Sequence, residues 1–247
     1  MKVKSILISQ PAPASSKTPY TAIAEKHKIK VDYRQFIQVE GVSELEFRQS
    51  RLNIKDFTAV IFTSRNAIEN FFRICKEQRY TVPDSLKYFC MSENTAHYLQ
   101  NYITVRRRKV FSGNTQFVDL LPSIVKHKKE KFLLPCSDIH KQEISDLLTN
   151  NGIDFDKAVM YRTVASDLSD LSEITYDMLV FFSPSGIESL FKNFPDFKQN
   201  DTRIAAFGSS TQQAVLDKNL RLDVAAPIPG VPSMVGAIEA YIQKNNK

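Results

Sequence analysis

Small polar residues follow several apolar runs of this sequence, at the point where each run ends. Three such segments are Thr63-Ser64-Arg65-Asn66, Ser183-Pro184-Ser185-Gly186 and Gly208-Ser209-Ser210-Thr211. A segment that opens a helix presents unpaired backbone amides at the positive end of the helix dipole. Amides in that position bind carboxylate or phosphate groups. The pattern therefore indicates anion-binding turns, although Ser, Thr and Asn also cap helices where no ligand binds.

Two of these turns carry a further helix signal. Asn66 has Glu69 three residues on, which is the spacing of a capping box, and Ser185 and Glu188 repeat it. Pro184 suits a first helical turn, where its missing N–H leaves no bond unmade. We therefore expect a helix to begin at each of the two turns.

Motifs of several established chemistries are missing from the sequence. With only 7 glycines, it has neither Gly-x-Gly-x-x-Gly nor Gly-x-x-x-x-Gly-Lys-Ser/Thr, and it lacks the Gly-x-Ser-x-Gly elbow of serine hydrolases. The cysteines number 3 and the 4 histidines are widely spaced, which argues against a disulfide framework and a metal site. We expect neither a metal nor a cofactor.

The charge balance is mildly basic. Lys plus Arg number 33 and Asp plus Glu 27, a net charge of +6 with both signs interspersed. This balance suits a protein that handles anions and does not by itself indicate nucleic acid. Two basic runs, Arg106-Arg107-Arg108-Lys109 and Lys126-His127-Lys128-Lys129, are expected to lie on the solvated surface or to steer an anion.

Length and composition describe a folded protein of 247 residues, enough for one large domain or two modest ones. Hydrophobic residues make up 43%, which suffices for real cores. The longest apolar runs are too short to span a membrane, and the run Ser5–Ser9 is too short for a signal peptide. We therefore expect a cytoplasmic protein that does not bind membranes.

The elements that would position the polar turns occur twice. Residues 61–72 align with residues 180–191 at one constant offset, and two later segments of each half also match in the same order. We call residues 58–120 and 177–240 the long repeats. Two shorter segments resemble one another less closely, and we call them the short repeats. The pattern of each predicts a strand, a helix and a second strand.

The first short repeat predicts strands at Ser5–Ile8 and near 31–39 around a helix near 20–28. The second predicts strands at 131–134 and near 156–164 around a helix near 142–150, with Gly152 as its left-handed C-terminal cap. Alternating strands and helices predict two similar α/β domains with parallel sheets. Either each short repeat joins the long repeat that follows it, or the pairing is crossed; periodicity does not decide.

Five segments resemble the uroporphyrinogen-III synthase family, in the family's order and across nearly the whole chain. They are Val60–Ala67, Phe132–Cys136, Ala158–Val164, Val180–Gly186 and Ile204–Thr211. The resemblance implies the crossed pairing, with two flavodoxin-like domains that are interleaved and joined by a two-stranded connector. It places one domain at 1–37 plus 167–247, the other at 40–163, and the connector strands at 37–40 and 162–166, with the active site between the domains.

The resemblance also implies an activity. Members cyclise hydroxymethylbilane, a linear tetrapyrrole with many carboxylates, with loss of water and inversion of the last pyrrole ring. They need no cofactor, and we expect a monomer without a nucleic-acid partner. Because the bilane closes by itself to the uninverted isomer, the task is chiefly to hold one closure geometry.

Residue by residue, Tyr161 matches the family's tyrosine, whose hydroxyl we expect to meet the departing hydroxyl. The candidate substrate-binding residues are the turn residues Thr63, Ser64, Asn66, Thr95, Ser183, Ser185, Gly208, Ser210 and Thr211. The sequence departs from the family at Ser9-Gln10-Pro11, where many members have an arginine, at Ser92 and at Ser137-Asp138. Arg65 is a candidate to replace that arginine.

Two other functions fit parts of the sequence. A two-domain binding protein that closes on a small polyanionic ligand, without chemistry, would have the same architecture. A nucleic-acid-associated protein would use the two basic runs, but they lack interleaved aromatic residues.

Overall fold

The computed structural model describes residues 2–104, 108–114, 116–139, 142–171 and 175–246. The chain divides into two compact units. Unit 1 comprises Met1–Gln38 and Val164–Lys247, and unit 2 comprises Val39–Thr163. None of the helices in the described ranges is both long and apolar enough to cross a membrane.

The first half of the chain contains the following strands and helices: β1 (Ser5–Ile8), α1 (Pro19–His27), β2 (Lys30–Tyr33), β3 (Ile37–Gly41), α2 (Glu44–Gln49), a 3-10 turn (Ile54–Asp56), β4 (Ala59–Phe62), α3 (Arg65–Glu77), β5 (Lys87–Cys90), α4 (Glu93–Leu99), β6 (Val110–Ser112) and α5 (Phe117–Lys126). The second half contains β7 (Phe132–Ser137), α6 (Gln142–Asn150), β8 (Phe155–Ala165), β9 (Met178–Phe181), α7 (Pro184–Asn193), β10 (Arg203–Phe207), α8 (Ser209–Asp217), β11 (Val224–Ala226) and α9 (Met234–Asn245).

The sheet of unit 1 has the strand order β11-β10-β9-β1-β2, and its neighbours pair in parallel. Strands β1 and β2 come from the first short repeat, and β9, β10 and β11 come from the second long repeat. Counted along unit 1 alone, the order is the 2-1-3-4-5 of flavodoxin-like sheets. Of the two pairings that the sequence leaves open, the crossed one is therefore observed.

The sheet of unit 2 has the order β3-β8-β7-β4-β5-β6. From β8 to β6 it repeats the spatial order of unit 1, but here the long repeat precedes the short one in the chain. The pairs from β8 to β6 are parallel. In both units the strand order reverses beside the first strand of a long repeat, between β1 and β9 and between β7 and β4. Ligands of open α/β sheets bind at such a reversal, beyond the carboxyl ends of the strands.

Burial on both faces explains the apolar strands. In β1, Ile6 and Ile8 face a core beneath α1 and α9, whereas Leu7 faces a second core beneath α7 and α8. This is the alternation of a strand covered on both sides by helices. All four residues of β4 and of β9 are buried. The predicted α/β class with two mainly parallel sheets is confirmed.

One predicted strand is wrong in extent. The stretch near 31–39 forms two strands, β2 and β3, separated by residues 34–36. Phe36 is buried there against Phe181, with ring centroids 5.6 Å apart, and its carbonyl accepts from Ser166 N. This anchoring ends β2 in unit 1, and the chain then enters β3, which pairs in the sheet of unit 2.

Candidate functional site

Ser64 begins the site in unit 2. It follows β4 by two residues in extended conformation (φ −158°, ψ 167°), and its Oγ accepts from Ala67 N at 3.2 Å, so it is the N-cap of α3. Ser183 caps α7 of unit 1 in the same way, with Oγ accepting from Gly186 N at 3.3 Å. Each serine satisfies one of the orphan amides of its helix.

The predicted capping boxes are therefore wrong by two residues. Asn66 and Ser185 lie inside the first turns of α3 and α7, and Glu69 accepts from the hydroxyl of Tyr98. Each helix begins two residues earlier than the capping-box spacing requires, because the serine two residues after the strand accepts from the third amide of the helix. The position of Pro184 in the first turn of α7 is as predicted.

A cavity of ≈ 250 Å³ opens where the strand order of unit 2 reverses. Thr63 and Ser64 from the turn after β4, and Tyr161 from β8, are three of its hydroxyl-bearing residues, and Ser137 is the fourth. Its other lining residues are Met91, Leu134, Cys136, Ile139 and Ile144. The cavity is thus apolar with a few convergent hydroxyls, the usual character of a small-molecule site.

Tyr161 and Ser64 meet in this cavity. Their hydroxyl oxygens are 3.2 Å apart, and either can donate. Tyr161 is 8% exposed. Burial raises its pKa above the ordinary value, hydrogen bonding from Ser64 counteracts this, and the neighbouring Cys136 adds to the rise. The phenol is therefore protonated at neutral pH and can give a proton to a group in the cavity.

The apolar lining is the part of the site that the sequence did not predict. Cys136 lies at the end of β7, is 5% exposed and has its pKa raised to about 11 by burial, so it is a neutral thiol. Ile139 follows β7, and Ile144 lies in the first turn of α6. Only the crossed pairing that the resemblance implied carried a signal, because it places the end of β7 beside the end of β4 and therefore near Ser64.

Two further cavities adjoin this one along the same edge. Met91, which follows β5, lines all three, and Ile144 lines two of them. Their volumes are ≈ 360 and ≈ 390 Å³. The edge of unit 2 therefore offers an extended surface interrupted by Met91, rather than a single closed pocket.

Charge in the first helical turns differs among the helices at the two edges. The first turns of α4, α5 and α6 each carry an acidic residue: Glu93, Asp119 and Glu143. The first turns of α3, α7, α8 and α9 carry none. An anion is repelled by a carboxylate at the N-terminus of a helix and attracted by an N-terminus without one.

The edge of unit 1 contains the remaining predicted turn residues. Gly208, with φ +83°, precedes α8 and has no side chain with which to cap the first amides of that helix. Ser183 and Ser185 are partly exposed and Ser210 is exposed. Ser9 follows β1, and Gly186 lies in the helix after β9. A Cβ on Gly186 would lie 3.8 Å from Ser9 Oγ, so the ends of these two strands are adjacent.

Thr95 and Thr211 are placed differently from the other predicted residues. They are 7% and 1% exposed. The hydroxyl of Thr95 lies 3.0 Å from that of Ser92, which caps α4. Both threonines therefore lie behind the surface that a ligand meets.

Arg65 follows Ser64 and is exposed. Its guanidinium carbon lies 5.2 Å from the centroid of the Tyr98 ring. The hydroxyl of Tyr98 donates to Glu69, and this bond raises its pKa to about 12. In the described part of the chain, no carboxylate lies within ion-pair distance of Arg65.

The described residues of the two basic runs do not line the three cavities at this edge. Arg106 and Arg107 are outside the described residues, and the second run begins at Lys126, the last residue of α5. His127 packs against Phe111 with ring centroids 4.5 Å apart. Within the described ranges, no group of three or more His, Cys, Asp or Glu side chains could hold a metal ion.

Comparisons with known proteins agree with this geometry. The family model for uroporphyrinogen-III synthase HemD matches residues 20–236. Uroporphyrinogen-III synthetase from Helicobacter pylori 26695 has a similar structure, with a TM-score of 0.59 and 18% identity over 98% of this chain and 100% of that one. A mutant uroporphyrinogen III synthase from the extremely thermophilic bacterium Thermus thermophilus gives a TM-score of 0.51 and 15% identity over 98% of this chain and 100% of that one.

A search of curated protein sequences finds no match. The family model nevertheless covers most of the chain, and the two solved structures share its fold. The chain therefore belongs to the uroporphyrinogen-III synthase HemD family and is an enzyme of that kind, a cyclising lyase.

Proposed function

We propose that this uroporphyrinogen-III synthase uses Tyr161 to release the terminal hydroxyl of hydroxymethylbilane, and that the strand-end turns bind the carboxylates of the bilane. The observation that carries the proposal is the phenol of Tyr161, hydrogen-bonded to Ser64 in an apolar cavity where the strand order reverses. A pyrrole ring suits such a cavity, because its faces are apolar and its N–H needs only a few polar partners.

The proton balance of the reaction is simple. As the C–O bond breaks, the Tyr161 proton joins the departing hydroxyl to form water, and the bilane keeps one positive charge. When the ring closes and the pyrroles regain aromaticity, the bilane loses one proton, which restores the phenol. Because departure of the hydroxyl occurs without an enzyme too, the larger contribution is the holding of one closure geometry.

The proposed carboxylate contacts follow the charge of the helix ends. Thr63 and Asn66, and Ser64 through its backbone, are placed at α3, and Ser183 and Ser185 at α7, where the first turns carry no acidic residue. Gly208 and Ser210 provide the uncapped amides of α8. Thr95 and Thr211, which are buried, shape their turns from behind. The apolar parts of the bilane then lie over the edge where α4, α5 and α6 begin.

Arg65 is part of the same proposal. A guanidinium in the first turn of α3 opposes the helix dipole, and the described residues offer it no carboxylate. Stacked over Tyr98, it retains its planar N–H donors for a carboxylate at the periphery of the bilane. It would thereby replace the arginine that many members carry after the first strand.

The proposal extends to organisation and location. We place the domain boundaries near 37–40 and 162–166, where β3 and β8 join the units, and we expect a monomer. Cys75, Cys90 and Cys136 are free and buried, which suits the reducing cytoplasm.

The test is a coupled assay with enzymatically generated hydroxymethylbilane, in which the product isomers are separated. We expect the inverted isomer from the wild type and about 100-fold slower formation by Tyr161→Phe, with unchanged thermal unfolding. Tyr176→Phe is the matched control, because it also removes a phenolic hydrogen bond, to Asp32 at 2.8 Å in unit 1. Formation of only the uninverted isomer by the wild type would reject the synthase activity and leave the non-catalytic binding protein as the alternative.

A further inference from the structure

Ser64 has two hydrogen-bonding tasks that constrain one another. Its Oγ accepts from Ala67 N at 3.2 Å as the cap of α3, and it lies 3.2 Å from Tyr161 Oη. A hydroxyl has one proton to donate and two lone pairs. The cap uses one lone pair, so the remaining choice is whether Ser64 donates to Tyr161 or accepts from it.

The two choices differ in what they leave for the substrate. If Tyr161 donates to Ser64, the phenolic proton is consumed, and the described residues offer no other acceptor to the Ser64 proton. If Ser64 donates, its hydroxyl is satisfied on both sides and the phenolic proton is left to point into the cavity. Both arrangements contain the same number of hydrogen bonds, but only the second keeps the phenolic proton available to a group in the cavity, as the proposed role of Tyr161 requires.

We infer that Ser64 is a positioning residue that donates to Tyr161 Oη and so fixes the direction in which the phenol gives its proton. The inference rests on the proposed role of Tyr161. It assigns to the α3 cap a function that the corresponding cap of unit 1 does not share, since the structure places no phenol within hydrogen-bond distance of Ser183 among the described residues.

The arrangement also stabilises the phenol after it has given its proton. The oxygen is then an anion, and a hydrogen bond to a charged acceptor is stronger than one between neutral groups. Ser64 itself caps the positive end of a helix of 13 residues, which polarises its hydroxyl towards the phenolate. The same bond counteracts the rise in the pKa of Tyr161 that burial causes.

The test is a double-mutant cycle in the bilane assay. Ser64→Ala should lower kcat about 10-fold, with a smaller change in KM, and Ser64→Thr should recover most of the loss because it keeps the hydroxyl. In the Tyr161→Phe background, Ser64→Ala should have little further effect, since its partner is gone.

Ser43→Ala is the control for the lost cap. Ser43 caps α2 in the same unit and accepts from Glu46 N at the same 3.2 Å, but it has no part in the site. It should lower thermal stability as Ser64→Ala does and leave kcat unchanged. Equal fold losses for Ser64→Ala in the two backgrounds, or a kcat as high as that of Ser43→Ala, would overturn the inference. Wild-type activity in Tyr161→Phe would instead overturn the proposed role of Tyr161.

Discussion

A Cβ placed on Gly41 would lie 2.7 Å from Nη2 of Arg73. It would lie equally close to Oδ1 of Asn70. Arg73, on α3, donates from Nη2 to the carbonyl of Val42 at 2.6 Å and from Nε to Asn70 at 3.2 Å. The helix that begins at the site thus holds the end of β3, and Gly41 leaves the room for that contact.

Gly41→Ala should therefore destabilise the protein by about 1–3 kcal/mol, because the guanidinium must move and lose these bonds. Urea or thermal unfolding measures the change. Combining it with Arg73→Ala should reduce the additional cost of the methyl group, since the clash with the guanidinium is gone and only the one with Asn70 remains. Strict additivity of the two changes would show that Gly41 is needed for another reason.

The alternation of strands and helices was predictable because burial on both faces leaves continuous apolar runs, as in β4 and β9. The crossed order was not predictable from the residues. Strand partners lie far apart in the chain, as Ile6 and Met178 do, and no local pattern encodes such a pairing. The resemblance implied it, and the strand order shows it.

In the site, Ser64 was predicted from its position in a polar turn, and Tyr161 was predicted from the resemblance. Tyr98 was not predicted, because its position beneath Arg65 follows from the packing of α4 against α3 rather than from sequence spacing. The error over the caps had a different cause. A glutamate three residues after a polar residue is compatible with a capping box. In α3, however, Ser64 is the N-cap and accepts from Ala67 N, so Asn66 lies inside the helix.

Replacing Arg65 with glutamine should raise the KM for hydroxymethylbilane about fivefold and change kcat little, because an exposed charged contact contributes about 1 kcal/mol. The wild-type KM should rise with ionic strength, and the variant should show a weaker rise. Arg48→Gln, which removes an exposed arginine paired with Glu44, is the charge-matched control. A KM equal to that of this control would assign Arg65 to the packing of Tyr98 alone.

The pH dependence of turnover tests the state of Tyr161. Burial raises its pKa above 10.0, and the acid form is the one that donates. The proton is therefore present at every pH below that value, and kcat should show no decline due to Tyr161 up to about pH 9. A decline below that pH that disappears in Tyr161→Phe would mean that the phenol ionises early.

The ionisation of Asp177 should make the free energy of unfolding depend on pH in the acid range. Burial alone would raise its pKa, but hydrogen bonds from Lys4 N, Ser5 N and Ser5 Oγ outweigh it and lower the pKa below the ordinary value of 3.8. The ion thus stabilises the fold above the ordinary pKa, and this contribution is lost as pH falls through the lowered one.

Asp177→Asn should accordingly lower the free energy of unfolding by about 1–2 kcal/mol at pH 7. The difference from the wild type should shrink as the pH approaches 3. Urea unfolding at a series of pH values provides the measurement. A difference that stays constant with pH would show that the carboxylate charge contributes nothing.

The crossed strand order also sets a sequence of events during synthesis. As the chain leaves the ribosome, β1 and β2 emerge first, but β9, which pairs with the other side of β1, follows about 170 residues later. Unit 2 lies wholly within that interval and can fold as soon as it has emerged. Until β9 has emerged, the apolar edge of β1 is unpaired and can pair with a wrong strand. Its four-residue length keeps that exposure small.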